Sequence, residues 1–161
     1  MPQEFDLSRF DNEGIEGAIR HHQEQGATDR PLYHALLAER SRRNSKYLNI
    51  EKTIDLLIRT ARKKTYTTYK QVTEANGIDF SKVRYQAGKH LDEIIDLCHS
   101  RGWPLLSALC VKQNEVNSGD LSGDSLKGFV AGVRRHNIPV TDAHEFLKST
   151  QTACFEWAEK N

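Results

Sequence analysis

Apolar residues recur every three or four positions through most of the chain, and this spacing predicts a mostly α-helical protein. Helix starts are marked by side chains that can accept a hydrogen bond from the first helical turn, or by a proline. We therefore expect helices that begin near Asn12, Pro31, Asn49, Thr68, Ser81, Ser122 or Asp124, and Thr141. Their inward faces are expected to carry Ile15, Ala18 and Ile19; Leu32, Ala35 and Leu36; Ile50, Ile54, Leu57, Ile58 and Ala61; Leu126, Phe129, Val130 and Val133; and Phe146, Leu147, Phe155 and Trp157.

The central segment, residues 65–91, reads TYTTYKQVTEANGIDFSKVRYQAGKHL and combines two helices with a short turn. Thr68 and Gln71 fit a capping box for a short helix that ends at Gly77, and Ser81 is expected to cap a longer helix. The inward residues are expected to be Val72 and Ala75 in the first helix, and Val83, Ala87, Leu91, Ile94, Ile95 and Cys98 in the second. A short helix, a turn with glycine and a longer amphipathic helix are the signature of a helix-turn-helix unit.

A strand is predicted directly after this second helix. Gly102 ends the helix, Trp103 and Pro104 prevent its continuation, and the run LLSALCV, residues 105–111, is apolar and of strand length. The next residues, KQNEVNSGDLSG, are polar and rich in turn formers. A strand that leaves the longer helix and enters such a loop predicts the wing of a winged helix, with an ordinary surface hairpin as the alternative.

Together these elements predict a mostly α fold: a winged helix-turn-helix with a small β wing and additional N- and C-terminal helices. Residues 1–48 are expected to form an arm and helices that pack on the body, and residues 49–161 a winged-helix-like domain with C-terminal helices. At 161 residues the chain has the size of one ordinary domain, so both parts are expected to form one compact unit.

The formal charge of +1 hides a strong segregation along the chain. Residues 1–39 contain three Lys or Arg and eight Asp or Glu, residues 40–89 contain thirteen and four, and residues 90–161 contain seven and ten. The net charges are therefore −5, +9 and −3. A basic middle between acidic flanks is expected where one surface meets a polyanion, whereas solvated helix faces are the alternative explanation.

The longer helix of the central segment is basic in its first half and acidic in its second, where Asp92, Glu93 and Asp96 lie. Only the first half can approach phosphates, and it is the part that a recognition helix places in the major groove. We therefore expect groove contacts from Arg84, Tyr85, Gln86 and Lys89, and phosphate contacts from Arg59, Arg62, Lys63, Lys64, Lys70 and Lys82. The wing would add Lys112, Gln113 and Asn114.

The cations near the end of the third predicted helix have a second explanation. Arg59, Arg62, Lys63 and Lys64 are at its C-terminus, where positive charge compensates the helix dipole. Dipole compensation accounts for two or three of these charges but not for the run of cations that continues from Arg40 to Lys70. The acidic half of the longer helix, in turn, is explained by proximity to neighbouring basic helices.

The segment from Tyr66 to Asn137 resembles the winged-helix DNA-binding half of the alkylguanine-DNA alkyltransferases and alkyltransferase-like proteins. TYTTYKQVTEANG resembles their tyrosine-led first helix, RYQAGKHL their reading helix, and SGDLSGDSLKGFVAGVRRHN their Ser-Gly wing and following helix. On this matching Gly88 takes the glycine of the reading helix, and Arg84 or Tyr85 takes the arginine that probes the base stack. The resemblance implies binding to double-stranded DNA.

The chain departs from that family at its acceptor cysteine. The family places the cysteine in Pro-Cys-His-Arg, whereas the corresponding strand here is SALCVKQ. Cys98 and His99 provide the Cys-His letters, but adjacent helical residues point in different directions and do not form an activated pair. Alkyl transfer is therefore not expected.

No other catalytic pattern is present in the sequence. The seven histidines have no metal-site spacing, no glycine-rich loop follows a strand, and the predicted strand contains no carboxylate. His90 is expected to be packed and hydrogen-bonded, and the three cysteines, Cys98, Cys110 and Cys154, to be small core residues. We therefore expect a non-catalytic protein with no cofactor and no metal ligands.

The whole pattern from Leu32 onward, with GWPLLSALCV and FLKSTQTACFEWA, also resembles a group of small bacterial proteins of unassigned function, some associated with defence or mobile-element loci. The sequence has no signal peptide pattern and no apolar run of membrane-spanning length, so a soluble, cytoplasmic location is expected. The expected role is regulation or the recognition of modified or foreign DNA.

Two alternatives to DNA binding remain open on the sequence. In the first, the chain is a protein-interaction adaptor: an arm with Phe5, Leu7 and Phe10, together with the aromatic last helix, would dock a protein partner or a second copy. In the second, it binds RNA, which is less favoured because no aromatic-rich sheet is apparent to stack bases.

Overall fold

The computed structural model describes residues 4–45 and 47–161, which form eight α-helices and a two-stranded sheet. The helices are α1 (Asn12–Glu24), α2 (Pro31–Asn44), α3 (Ile50–Arg62), α4 (Tyr69–Ala75), α5 (Phe80–Val83), α6 (Ala87–Ser100), α7 (Gly123–Arg134) and α8 (Ala143–Lys160). The strands are β1 (Thr67–Thr68) and β2 (Cys110–Val111), and two short 3-10 helices cover Leu106–Leu109 and Gln113–Glu115. The mostly helical fold is as predicted. No helix in the described parts of the chain is long and apolar enough to cross a bilayer.

Side-chain caps fix several of the helix starts. Asn49 accepts a hydrogen bond from the Lys52 amide at the start of α3, and Thr68 and Gln71 form the predicted capping box at α4. Three starts differ by a residue or two from the prediction, because Asp11, Asp79 and Asp142 cap α1, α5 and α8. Aspartate is among the preferred N-cap residues, so these shifts follow the same chemistry.

The apolar core divides into two clusters. The smaller cluster joins the N-terminal arm to α1 and α2 through Leu7, Ile15, Ile19, Tyr33, Leu36 and Leu37. The larger cluster gathers α3, α6, α7, α8 and the first 3-10 helix, with Leu57, Ile94, Leu106, Leu109, Val133 and Leu147 all fully enclosed. Leu7 is buried and Phe5 packs on the smaller cluster, so these two arm residues contribute to the core of the protein itself.

The predicted strand over residues 105–111 is wrong for most of its length. Leu106–Leu109 form a 3-10 helix, and only Cys110 and Val111 form a strand, which pairs in parallel with Thr67 and Thr68. Every residue from Leu105 to Val111 is buried. The apolar run therefore predicted burial correctly but not the type of secondary structure. Within the described residues the loop after β2 forms a short 3-10 helix and supplies no second wing strand.

The predicted long helix after Ser81 is interrupted. Phe80–Val83 form a single turn, Arg84–Gln86 form a non-helical turn, and α6 begins only at Ala87. Val83 and Ala87 are both buried, so the apolar stripe is retained across the three-residue turn between them. In α4, Ala75 is exposed instead of inward, and Thr73 and Asn76 are buried beside Val72.

Buried charges connect the two apolar clusters. Asp96 of α6 is completely buried and accepts hydrogen bonds from Arg40 of α2 at 2.8 Å, from His136 at 2.7 Å and from Arg135 at 3.4 Å. Burial opposes ionisation of Asp96, but these donors outweigh it and lower the pKa of the carboxyl group. Arg40 is also buried and reaches Glu16 of α1 at 3.3 Å. The acidic second half of α6 therefore attaches α1 and α2 to the rest of the protein.

We expect Asp96→Ala to lower the free energy of unfolding by about 3–5 kcal/mol, because it leaves the buried Arg40 guanidinium without its main partner. Urea denaturation measures the change. The control is Glu51→Ala, which removes the exposed ion pair with Arg101 and should cost less than about 1 kcal/mol. Equal losses for the two variants would contradict the assigned role of Asp96.

Candidate nucleic-acid interface

The first half of the predicted reading helix forms a projection that we call the α6 tip, residues 82–89. Tyr85 at its end is 81% exposed, the highest exposure among the large apolar side chains described. The guanidinium of Arg84 lies 4.9 Å from the centre of the Tyr85 ring, and its Nη2 donates a hydrogen bond to the Tyr85 hydroxyl at 3.1 Å. An aromatic ring and a cation are thus presented to solvent as one unit.

Burial on both sides of the turn produces this projection. Val83 and Ala87 are 3% and 7% exposed, whereas Arg84 and Tyr85 between them are exposed. The Gln86 amide donates to the Val83 carbonyl at 2.9 Å, and the His90 amide donates to the Gln86 carbonyl at 2.9 Å. The turn is therefore hydrogen-bonded to the helices on both sides, which holds Arg84 and Tyr85 at the surface.

The charge of the α6 tip is uniformly positive. Residues 80–91 include Lys82, Arg84 and Lys89 and no carboxylate, and none of the three makes an ion pair among the described residues. Lys70 of α4 lies near Lys82, since the charges of both act on the carboxyl group of Asp79. Hydrogen bonds from Ser81 lower the pKa of the Asp79 carboxyl group, and the nearby charges of Lys82 and Lys70 lower it further.

A polar cluster at the start of α3 positions α4 and α6. His90 Nε2 lies 2.6 Å from Thr53 Oγ1, and Asn76 donates to the same hydroxyl at 3.0 Å. Asn76 also accepts from the Asn49 amide at 2.7 Å. His90 is buried and hydrogen-bonded, as predicted, and burial lowers its pKa to about 4. The cluster joins the two helices of the helix-turn-helix segment through the neutral imidazole.

Four of the predicted phosphate ligands lie apart from the α6 tip. Arg59, Arg62, Lys63 and Lys64 are at the C-terminal end of α3, where Lys64 pairs with Glu159 at 2.7 Å and Arg62 donates to the Asn161 carbonyl at 2.7 Å. The N-terminal part of α3, at Thr53, contacts α6. Ten helical residues separate Thr53 from Lys63, which corresponds to about 15 Å along the axis.

Two predicted contacts, Gln86 within the tip and Lys112 after β2, are only partly exposed. Gln86 is half-buried and lines a small cavity with Lys89, Tyr47 and Leu48. Lys112 is half-buried after β2, and its Nζ lies near Gly123 at the start of α7. The predicted set therefore separates into the tip with Lys70, the end of α3, and Lys112.

The run of cations that begins at Arg40 is only partly exposed within α2, where Arg42 is exposed and Arg40 is not. Arg40 is buried against Asp96, and Arg42 and Arg43 each lie 2.7 Å from a carboxylate oxygen of Glu39. Hydrogen bonds from both arginines lower the pKa of Glu39 to about 2. Arg40 follows Tyr33, Leu36 and Leu37 at helical spacing, so its position on the apolar face could have been read from the sequence.

The cysteines are free and buried. Burial raises the pKa of the Cys98 and Cys110 thiols to about 11 and about 12, so both are neutral and unreactive near pH 7. His99 stacks on His136 with ring centres 4.0 Å apart. In the part of the chain that the structure describes, no group of three or more His, Cys, Asp or Glu is arranged to hold a metal ion.

The stability of the protein should fall as the pH drops from about 6.5 to about 4. Unfolded histidine has a pKa near 6.5 and folded His90 one near 4, so the unfolded state binds more protons between these values. The expected contribution is up to about 1.4 kcal/mol per pH unit. In His90→Gln this part of the slope should disappear, as measured by urea denaturation at several pH values. Parallel curves for both proteins would contradict the assignment.

Comparisons of the chain with protein-family models, with curated proteins and with solved structures found no match.

Proposed function

We propose that the protein is a non-catalytic, double-stranded DNA-binding protein that contacts DNA through the α6 tip. The observation that carries the proposal is the difference between two sets of cations. Those of α2 are paired with carboxylates, Arg40 with buried Asp96 and both Arg42 and Arg43 with Glu39, whereas Lys82, Arg84 and Lys89 have no ion-pair partner among the described residues and lie next to the exposed Tyr85 in sequence. Three unpaired cations close together on one projection favour a polyanionic partner.

The geometry of the segment also supports the proposal. A short helix (α4), a turn and a longer helix (α6) are held together by the Thr53, Asn76 and His90 cluster. The N-terminus of α6, which carries the positive end of the helix dipole, directly follows Lys82 and Arg84 in the chain. Arg84 is prepared for a base edge or a phosphate, because Tyr85 already orients its guanidinium.

The number of phosphates at this interface is smaller than the sequence suggested. Lys82, Arg84 and Lys89 belong to the tip and Lys70 lies near Lys82, since both act on Asp79, whereas the end of α3 contacts the C-terminal residues Glu159 and Asn161. With about four phosphates neutralised, the logarithm of the affinity should fall with the logarithm of the salt concentration with a slope near −3.6. DNA that also reaches the end of α3 would give a steeper slope.

Fewer features of the structure support the adaptor hypothesis than support DNA binding through the α6 tip. Leu7 is buried, and Phe155 and Trp157 of α8 pack on the larger cluster, where they contact Tyr66 and Trp103. Of the three arm residues in that hypothesis, Phe10 is exposed, at 46%.

The double variant Lys82→Ala with Lys89→Ala should bind random-sequence duplex DNA at least about 10-fold more weakly, and its salt slope should be less steep by about 2. Fluorescence anisotropy at several salt concentrations measures both. Lys127→Ala on the exposed surface of α7 is the control and should bind like the unmodified protein. Unchanged affinity in the double variant would exclude the tip as the DNA contact.

Lys63→Ala tests whether DNA contacts the α6 tip alone or also the end of α3. If the tip alone contacts DNA, this variant keeps the affinity and the slope of the unmodified protein, because the end of α3 lies outside the contact. A loss as large as that of the double variant would show instead that α3 is the main phosphate-binding element.

A further inference from the structure

A cleft of about 390 Å³ opens between α6 and α7, directly beside the α6 tip. Its size is within the range of small-molecule sites in proteins, about 300–1,000 Å³. The bottom is formed by the buried residues Ile95, Ser107, Cys110 and Leu121. Phe80, Arg84 and Asp124 lie at the exposed mouth. The cleft is therefore an apolar space with charged groups only at its entrance.

Glycines make the cleft wedge-shaped. At Gly132 of α7 an added Cβ would lie 2.7 Å from the Ile95 side chain, so the two helices are in close contact there. One turn earlier, at Gly128, and at Gly88 on α6, an added Cβ would meet nothing within 4 Å. Both of these glycines line the cleft. The space thus narrows from Gly88 and Gly128 toward Ile95, a shape that fits a flat molecule.

The bottom of the cleft contains one polar atom without a partner. Ser107 is 4% exposed, and its Oγ makes no hydrogen bond to any described residue. A buried hydroxyl without a partner costs free energy, on the order of 1–3 kcal/mol. A ligand that places a hydrogen-bonding group at this depth would satisfy it.

The charges at the entrance disfavour an anion. Asp92 and Asp124 line the cleft against one cation, Arg84, whose guanidinium is already hydrogen-bonded to Tyr85. Asp124 makes no ion pair among the residues described, and Asp92 lies 3.9 Å from Arg135. Two carboxylates and one cation therefore line the cleft, and Asp124 is the carboxylate that has no ion pair of its own among the described residues.

We propose that this cleft binds an aromatic amine. The ring lies between Gly88 and Gly128, a ring N–H or similar group meets Ser107, and the ammonium group lies near Asp92 and Asp124. This binding does not depend on the proposed contact with DNA, and the tests below are made without DNA, so the two proposals fail separately.

Three compounds that share one ring test the charge argument. Tryptamine is positively charged, indole is neutral and indole-3-acetate is negatively charged. We expect tryptamine to bind most tightly and indole-3-acetate most weakly, followed through the NMR shifts of the Gly88 and Gly128 amides, with the Gly17 amide of α1 as an internal reference. No saturable shift with tryptamine, or equal affinity for indole-3-acetate, would overturn the proposal.

Gly128→Leu tests the location. Because an added Cβ at Gly128 meets no atom within 4 Å and leucine favours helix more than glycine does, the variant should fold at least as well as the unmodified protein, and circular dichroism checks this. The leucine should occupy the cleft and weaken tryptamine binding by at least about 10-fold. Gly17→Leu, at an exposed glycine of α1 that also has no neighbours, is the matched control and should bind normally. Unchanged binding in Gly128→Leu would overturn the proposal.

Ser107→Ala and Asp124→Asn test the polar groups at the bottom and at the mouth of the cleft. Ser107→Ala should weaken indole and tryptamine alike, by about 2- to 10-fold, without lowering the melting temperature of the free protein, because its hydroxyl has no partner there. Asp124→Asn should weaken tryptamine only. If Asp124→Asn weakens indole equally, or if Ser107→Ala leaves both affinities intact, the proposed orientation of the ligand is wrong.

Discussion

The rest of the structure depends on one buried carboxylate, that of Asp96. It accepts hydrogen bonds from Arg40 on α2 and from His136 and Arg135 at the end of α7, so three separate parts of the chain meet at a single side chain of α6. Burial of a carboxylate costs free energy unless cations and hydrogen-bond donors compensate its charge. Because Arg40, Arg135 and His136 provide this compensation, Asp96 holds the small N-terminal cluster and the large cluster in one relative position.

The ion pairs of α2 determine which cations of the chain are left without a carboxylate partner. Arg40 is used inside the protein, and Arg42 and Arg43 are used at Glu39, so the basic sequence of α2 contributes little free positive charge. Lys82, Arg84 and Lys89 of the α6 tip have no such partners among the described residues. The second half of α6 is therefore part of the internal framework, whereas the tip before it faces solvent and is the surface that we propose for DNA.

The interruption before α6 lies between the two candidate sites. Arg84 and Tyr85 are exposed on its hydrogen-bonded turn. Arg84, Gly88 of α6 and Gly128 of α7 line the cleft. The α6 tip and the cleft are thus adjacent and share Arg84 and Gly88.

The sequence by itself determined the helices, most of their starts and most of their inward faces, because caps and apolar spacing act within a few residues. The capping box at Thr68, the buried cysteines and the packed His90 were predictable for the same reason. The break between Val83 and Ala87, the 3-10 helix at Leu106–Leu109 and the separation of the α3 cations from the tip were not. These depend on tertiary structure, since an apolar run is buried equally well in several conformations, and a charge shows whether it is free only when its spatial neighbours are known.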